Sequence, residues 1–150
     1  MAKFIFSMQN ILSMKEKIEE QEKAEYSQVM MRFNEEQDKL NELIERQSMA
    51  EVELKNTINE VLDVREIREK EDFLEIIKMY VKEQQLIVIA CEEEVRQARE
   101  RLNEAMKERK IYEKLREKAF EEFIQEENKR EQKEIDELVS YRYGNIKSED

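Results

Sequence analysis

Apolar residues recur along this chain in steps of three and four, the spacing that keeps them on one side of an α-helix. In the first half, Phe33, Gln37, Leu40, Ile44, Gln47, Glu51, Leu54, Ile58 and Val61 alternate steps of four and three. That is a coiled-coil seam in spite of its polar members. Upstream, Met8, Ile11, Lys15, Ile18 and Glu22 continue it, but rejoin through Tyr26, Met30 and Phe33 by successive steps of four. Such a stutter locally relaxes the supercoil. The second half repeats the signal with Phe73, Ile77, Tyr80, Gln84, Ile87, Cys91, Val95, Ala98, Leu102 and Ala105, and with Tyr112, Leu115 and Ala119 beyond. The spacing predicts an all-α protein, two long helices forming an antiparallel coiled-coil hairpin. The first helix covers about 8–60, the turn about 61–66, the second helix about 64–143 and a short tail 144–150, in a single coiled-coil domain over 1–150.

The turn is weakly marked. Asp63-Val64-Arg65-Glu66 has the form of an N-cap with an acidic residue at N3, and Asn56 and Asn59 weaken the helix before it. The alternative is one unbroken helix in a parallel dimer. Charge favours the hairpin. Residues 16–25 carry five Glu and two Lys, and residues 107–118 carry six basic and three acidic residues. A fold near residue 65 lays these opposite signs side by side. Each exposed pair contributes little, but the sign pattern helps to select register. At the far end the only glycine, Gly144, fits the C′ position of the second helix, where the αL conformation costs glycine little.

Composition agrees. The chain has 150 residues, 43% of them charged, and no proline. Glu, Lys, Arg, Leu and Ile without breakers favour long helices, and the helical spacing of the apolar residues argues against disorder. The net charge of −11 disfavours nucleic acid, which needs a basic face. A single cysteine, Cys91, leaves no internal disulfide framework and suits a reducing compartment. The opening MAKFIFSMQN is too poor in apolar residues for a signal peptide, and no window approaches the run needed to span a bilayer. A cytosolic protein is expected.

Catalysis finds little support. There is no histidine, so the commonest general base and the His-based metal sites are missing. One glycine cannot build a phosphate loop. Glu92, Glu93 and Glu94 are better read as a solvated helix face than as a metal site, and Cys91 as a small seam residue rather than a nucleophile. The protein is expected to be no enzyme and to carry no cofactor or metal.

Binding surfaces are the better prospect. Leu86 to Cys91, LIVIAC, is apolar on every side of its helix. It is either a thickened core, a homodimer contact or an exposed patch that grips a partner. At the other end the second helix outlasts the first. Phe120, Phe123, Ile124, Ile135 and Leu138 then need cover from Phe4, Ile5 and Phe6 or from another protein. Arg130, Tyr141, Arg142 and Tyr143 are residue types enriched at interface hot spots.

Tyr112 to Gly144, YEKLREKAFEEFIQEENKREQKEIDELVSYRYG, resembles the C-terminal signature of the FliJ family, the soluble central protein of the bacterial flagellar type III export apparatus. EKLREK and REQKEIDE match its usual form. The short MAKFIF start, KEKIEEQEKAEY (Lys15 to Tyr26), the length and the two-helix layout fit as well, so the resemblance covers nearly the whole chain. It implies a hairpin like the central stalk of rotary ATPases. Such a stalk binds the hexameric export ATPase and promotes its assembly and activity. It also contacts the cytoplasmic domain of the export gate and cycles export chaperones, in the cytoplasm at the inner membrane beneath the flagellar basal body. The matching gate-contact positions are Phe73, Ile77, Tyr80 and Gln84, with Leu43 on the first helix. The end near the termini would seat in the ATPase ring through Arg130, Gln132, Asp136, Tyr141 and Arg142. Arg46 and Ala50 depart from the aromatic side chains common in the family's patch. Two alternatives stand beside this: a homodimeric scaffold, and an export-substrate chaperone using Leu86 to Ile89, both without ATPase coupling.

Overall fold

The structure is a computed structural model describing residues 2–60 and 63–149. Two helices account for nearly all of them, α1 (Gln9–Glu60) and α2 (Val64–Glu149), and no strand occurs among the described residues. The expected turn includes Val61 and Leu62, which lie outside the described residues, as does the Val61 seam position. α1 opens where the Gln9 N–H donates to the Phe6 carbonyl at 3.1 Å and the Leu12 N–H to that of Met8 at 3.0 Å. α2 opens on Asp63. Its Oδ1 accepts from the Arg65 N–H at 3.0 Å and its carbonyl from the Ile67 N–H at 3.2 Å, the arrangement of a helix N-cap.

α2 does not stop at Gly144. It runs on to Glu149, and Gly144 has no positive φ. The expected αL cap is therefore absent. Glycine inside a helix costs only about 1 kcal/mol relative to alanine, too little to end a helix whose backbone bonding continues.

The chain forms two compact units, Glu20–Asn103, and Met1–Glu19 with Glu104–Asp150. In the first, ion pairs between the helices run in opposite senses: Glu22 with Arg101 at 3.4 Å, Arg32 with Glu94 at 3.4 Å, and Glu53 with Lys70. Partner numbers fall on α2 as they rise on α1, so the pairing is antiparallel. A run of covered positions on α1 is Glu22, Tyr26, Val29, Phe33, Glu36, Leu40, Leu43, Gln47, Ala50, Leu54 and Thr57, with Met30 and Gln37 partly covered beside it. The run alternates four and three; Val29 continues it between Tyr26 and Phe33, and Met30, the position of the expected stutter, is partly covered as well. On α2 the buried positions are Leu74, Ile77, Val81, Gln84, Val88, Cys91, Val95 and Ala98. Leu40, Ala50, Leu74, Ile77, Val81 and Val88 form the apolar core, with Phe33, Leu43 and Leu54 packed against it.

This seam corrects the expected one at a regular set of places. Ile44, Glu51 and Ile58 give way to Leu43, Ala50 and Thr57 on α1; Phe73, Tyr80 and Ile87 give way to Leu74, Val81 and Val88 on α2. Each exchange moves one position along the helix, about 100° around its axis. Leu, Val and Ala seat between closely spaced helices, whereas Phe73 and Tyr80 stand on the flank.

In the second unit the N-terminal segment lies along α2. The Phe4 ring meets Phe120 edge-on at 5.2 Å and Phe123 at a tilt at 5.5 Å. Phe6 and Ala105 are buried and Leu12 is almost wholly enclosed, so Leu12 replaces the expected Ile11 as the seam residue. Lys15 pairs with Glu108 at 2.6 Å, and Arg109 bridges Glu19 and, at 2.7 Å, Glu113. The opposition of the acidic 16–25 run and the basic 107–118 run is thus realised in the Glu19–Arg109 pair.

Candidate interaction surfaces

Once the seam has taken Leu74, Ile77, Val81, Gln84 and Val88, α2 still has apolar residues left over. Phe73, Ile76, Met79, Tyr80, Leu86, Ile87 and Ile89 are all exposed, Leu86 to 69%. At about 100° per residue they wrap round the outer half of the helix over about five turns, Phe73, Tyr80 and Ile87 on one flank and Leu86 and Ile89 toward the other, with Glu75, Lys78, Lys82 and Glu83 among them. Glu69 and Asp72 bound the stretch before Phe73; Glu92 and Glu93 bound it after Ile89. Exposed apolar residues in this number make the stretch a candidate for contact with another molecule. Of the LIVIAC run, only Val88 and Cys91 are buried.

The positions expected from the resemblance to contact the export gate divide between this surface and the seam. Phe73 and Tyr80 are exposed on one flank, two turns apart. Ile77 and Gln84 are buried, and Leu43 packs against the core. Ile76 and Met79 are exposed as well, though no seam spacing points to them. Their signal is apolar residues at outward positions, beside turns already supplied with a seam residue.

Gln84 has a structural task. Its Nε2 donates across the seam to the Glu36 carbonyl at 2.9 Å and to the Glu36 carboxylate at 2.6 Å. A buried amide bonded in this way ties one register of the two helices, since a slip would leave it unpaired. The Gln84 hydrogen bond, and after it Lys39, hold the Glu36 carboxyl below its ordinary pKa. A carboxyl with a lowered folded pKa stabilises the fold above its unfolded pKa and loses that contribution as pH falls through the folded value. Gln84→Leu should therefore melt below the parent at neutral pH, with the gap narrowing on acidification below the usual carboxylate range. Circular-dichroism melts across that range check it, and parallel profiles would show that the bond does not contribute.

The second surface is the end of α2. Every described side chain from 128 to 147 is exposed. Arg130 reaches Glu127 at 3.4 Å, Gln132 donates to Asp136 at 3.2 Å, and the Lys147 ammonium lies 5.0 Å from the Tyr143 ring centre. The five residues assigned to the ATPase contact do not share one face. Arg130 and Tyr141, about three turns apart, point the same way; Gln132 and Asp136 form a bonded pair on another side; Arg142 lies between. All five are exposed.

No group of three or more acidic, cysteine or histidine side chains is placed to hold a metal among the described residues. Glu93 is engaged by Arg96 and Glu94 by Arg32. No described helix is long and apolar enough to cross a membrane.

The profile of the family "Flagellar FliJ protein" matches residues 4–148. The "Flagellar FliJ protein" of Bacillus subtilis (strain 168) is 29% identical over 133 residues, which are 89% of this chain and 90% of that protein. No solved structure matches the chain significantly. A family match over nearly the whole length, on a hairpin of two long helices, leaves one conclusion: the chain belongs to the FliJ family and is a component of the flagellar protein-export apparatus.

Proposed function

We propose that this protein is a non-enzymatic stalk that couples the hexameric export ATPase to the export gate. The observation that carries this is the exposed end of α2. From residue 128 to 147 the helix continues with every side chain exposed, displaying Arg130, Tyr141, Arg142 and Tyr143 to solvent. In this reading it seats in the ATPase ring through Arg130, Gln132, Asp136, Tyr141 and Arg142, and promotes ring assembly and turnover. The outer face of α2 around Phe73 and Tyr80 takes the gate's cytoplasmic domain, with Ile77, Gln84 and Leu43 supporting it from the seam. Export chaperones are cycled on the same stalk, at the cytoplasmic face of the inner membrane beneath the basal body. With a net charge of −11, the protein fits a basic channel in the ring. Exposure of Leu86 and Ile89 favours one second reading, an export-substrate chaperone without ATPase coupling.

Arg130→Ala with Arg142→Ala is the test. Both side chains are exposed, so helicity should be unchanged, while stimulation of the ATPase should need at least about tenfold more protein. Full stimulation at parental concentrations, or loss of helicity, counts against the assignment.

A further inference from the structure

Within Glu20–Asn103 the two helices carry two seams, and the observed fold uses one of them. The observed seam takes Leu40, Leu43, Gln47, Ala50, Leu54 and Thr57 from α1, and Leu74, Ile77, Val81, Gln84, Val88 and Cys91 from α2. The second takes Leu40, Ile44, Gln47, Glu51, Leu54 and Ile58 with Phe73, Ile77, Tyr80, Gln84, Ile87 and Cys91, and alternates four and three just as regularly. Each seam has four apolar members on α1 and five on α2, so apolar content does not choose between them. The two share every second member. Turning each helix by about 50° round its own axis therefore exchanges one seam for the other with no slide along it.

An ion pair fixes the sides. Phe73, Tyr80, Ile87 and Glu94 follow one another in steps of seven on α2, and Arg32, Arg46 and Glu53 stand at multiples of seven on α1. Glu94 and Arg32 meet at 3.4 Å, so both lines run along one flank of the hairpin. Ile44 and Ile58 lie on the other flank. The ion pairs Arg32–Glu94 and Glu53–Lys70 put Ile44 level with Tyr80. The observed seam keeps these two apart, and the turn sets them face to face. Gln84 belongs to both seams, but Glu36, to which it donates at 2.9 and 2.6 Å, belongs only to the observed one; Gln37 takes that place in the other. Two packings of one sequence related by a small rotation of packed helices form a bistable element. We infer that this hairpin has a second, minor state in which both helices turn, Ile44, Phe73, Tyr80 and Ile87 enter the seam, and the Gln84–Glu36 bond is the latch that opens. Losing that bond, and putting Glu51 where Ala50 now sits, keeps the second state minor. The turn takes Phe73 and Tyr80 off the surface, so a partner that grips them favours the observed seam. That consequence rests on the proposed gate contact; the rotation itself does not.

Disulfide trapping in the full chain is the test, since the bond closes only when the two Cα atoms come within about 7 Å. Leu43→Cys with Val81→Cys reports the observed seam, and Ile44→Cys with Tyr80→Cys the turned one. Ile44 and Tyr80 are exposed, so cysteines there leave the observed core whole. Arg46→Cys with Lys78→Cys is the control, level with these, on opposite flanks, and carried farther apart by the turn. Cys91 is buried about three turns beyond Tyr80, out of reach of all three pairs. Under oxidised glutathione the Leu43 and Val81 pair should close fastest. The Ile44 and Tyr80 pair should close more slowly, yet at least about tenfold faster than the control. Adding Gln84→Leu should speed the Ile44 and Tyr80 pair by at least about threefold and leave the control unchanged. If the Ile44 and Tyr80 pair closes no faster than the control, only general opening brings the flanks together, and the inference is overturned. Equal acceleration of both pairs by Gln84→Leu overturns the latch. None of these measurements needs the ATPase or the gate.

Discussion

Replacing Val81 and Val88 together by alanine should lower the stability of this protein by about 4 kcal/mol, whereas Tyr80→Ala with Ile87→Ala should cost less than about 1 kcal/mol. The two pairs are sequence neighbours, and the larger side chains are in the pair expected to matter less. Val81 and Val88 are each 7% exposed, and Tyr80 and Ile87 are 51% and 42% exposed. Each Val→Ala removes two buried methyl equivalents, about 1.6 kcal/mol of transfer free energy, and leaves a small void between helices that cannot fully close. The sites lie two turns apart, so the two losses should nearly add. Urea unfolding followed by circular dichroism reads the result as a fall in the midpoint at constant slope. If the Tyr80 and Ile87 variant is the weaker one, the seam runs through the other register.

That comparison also marks where the sequence stops being legible. The hairpin is written plainly: no proline, one glycine, and apolar steps of three and four down both halves. Val95, Ala98 and Leu102 are identifiable from the sequence because each turn there offers one apolar candidate among polar neighbours. Where a turn offers two in succession, as in Phe73–Leu74, Tyr80–Val81, Ile87–Val88 and Leu43–Ile44, periodicity does not choose between them. Size is a poor guide, because the narrow space between two helices takes the aliphatic residue and leaves the aromatic on the flank. The same ambiguity divides the gate-contact set. Phe73 and Tyr80 are on the surface, while Ile77 and Gln84 are inside, Gln84 bonded to Glu36. Ile76 and Met79 stay hidden in the sequence for the converse reason, since an exposed apolar residue has no periodic signature once the seam is misplaced by one step. The cover over Phe120 and Phe123 was legible as a need, and Phe4 meets it. Gly144 misled, because glycine favours helix ends without forcing one.

The largest functional effect should come from Phe73→Asp with Tyr80→Asp. Both side chains stand more than half exposed on one flank of α2, so neither makes a core contact, and surface changes of this kind usually stay within about 0.5 kcal/mol. The double variant should melt close to the parent. At a partner's surface the same change is severe. Two aromatic anchors, each typically worth about 2 kcal/mol at an interface centre, are replaced by carboxylates among exposed apolar side chains. They also add to the acidic ends formed by Asp72 and Glu93, so desolvation and like charge act together. Binding to the cytoplasmic domain of the export gate, followed by calorimetry with purified partners, should weaken by at least about 100-fold. Leu86→Asp with Ile89→Asp, farther along α2 and toward its other flank, locates the contact. If that pair abolishes binding while the Phe73 and Tyr80 pair does not, the gate sits over the Leu86 and Ile89 side of α2. If neither pair weakens binding, the gate does not use this face, and its exposed Phe, Tyr, Leu and Ile side chains belong to another partner, for which an export substrate is the first to try.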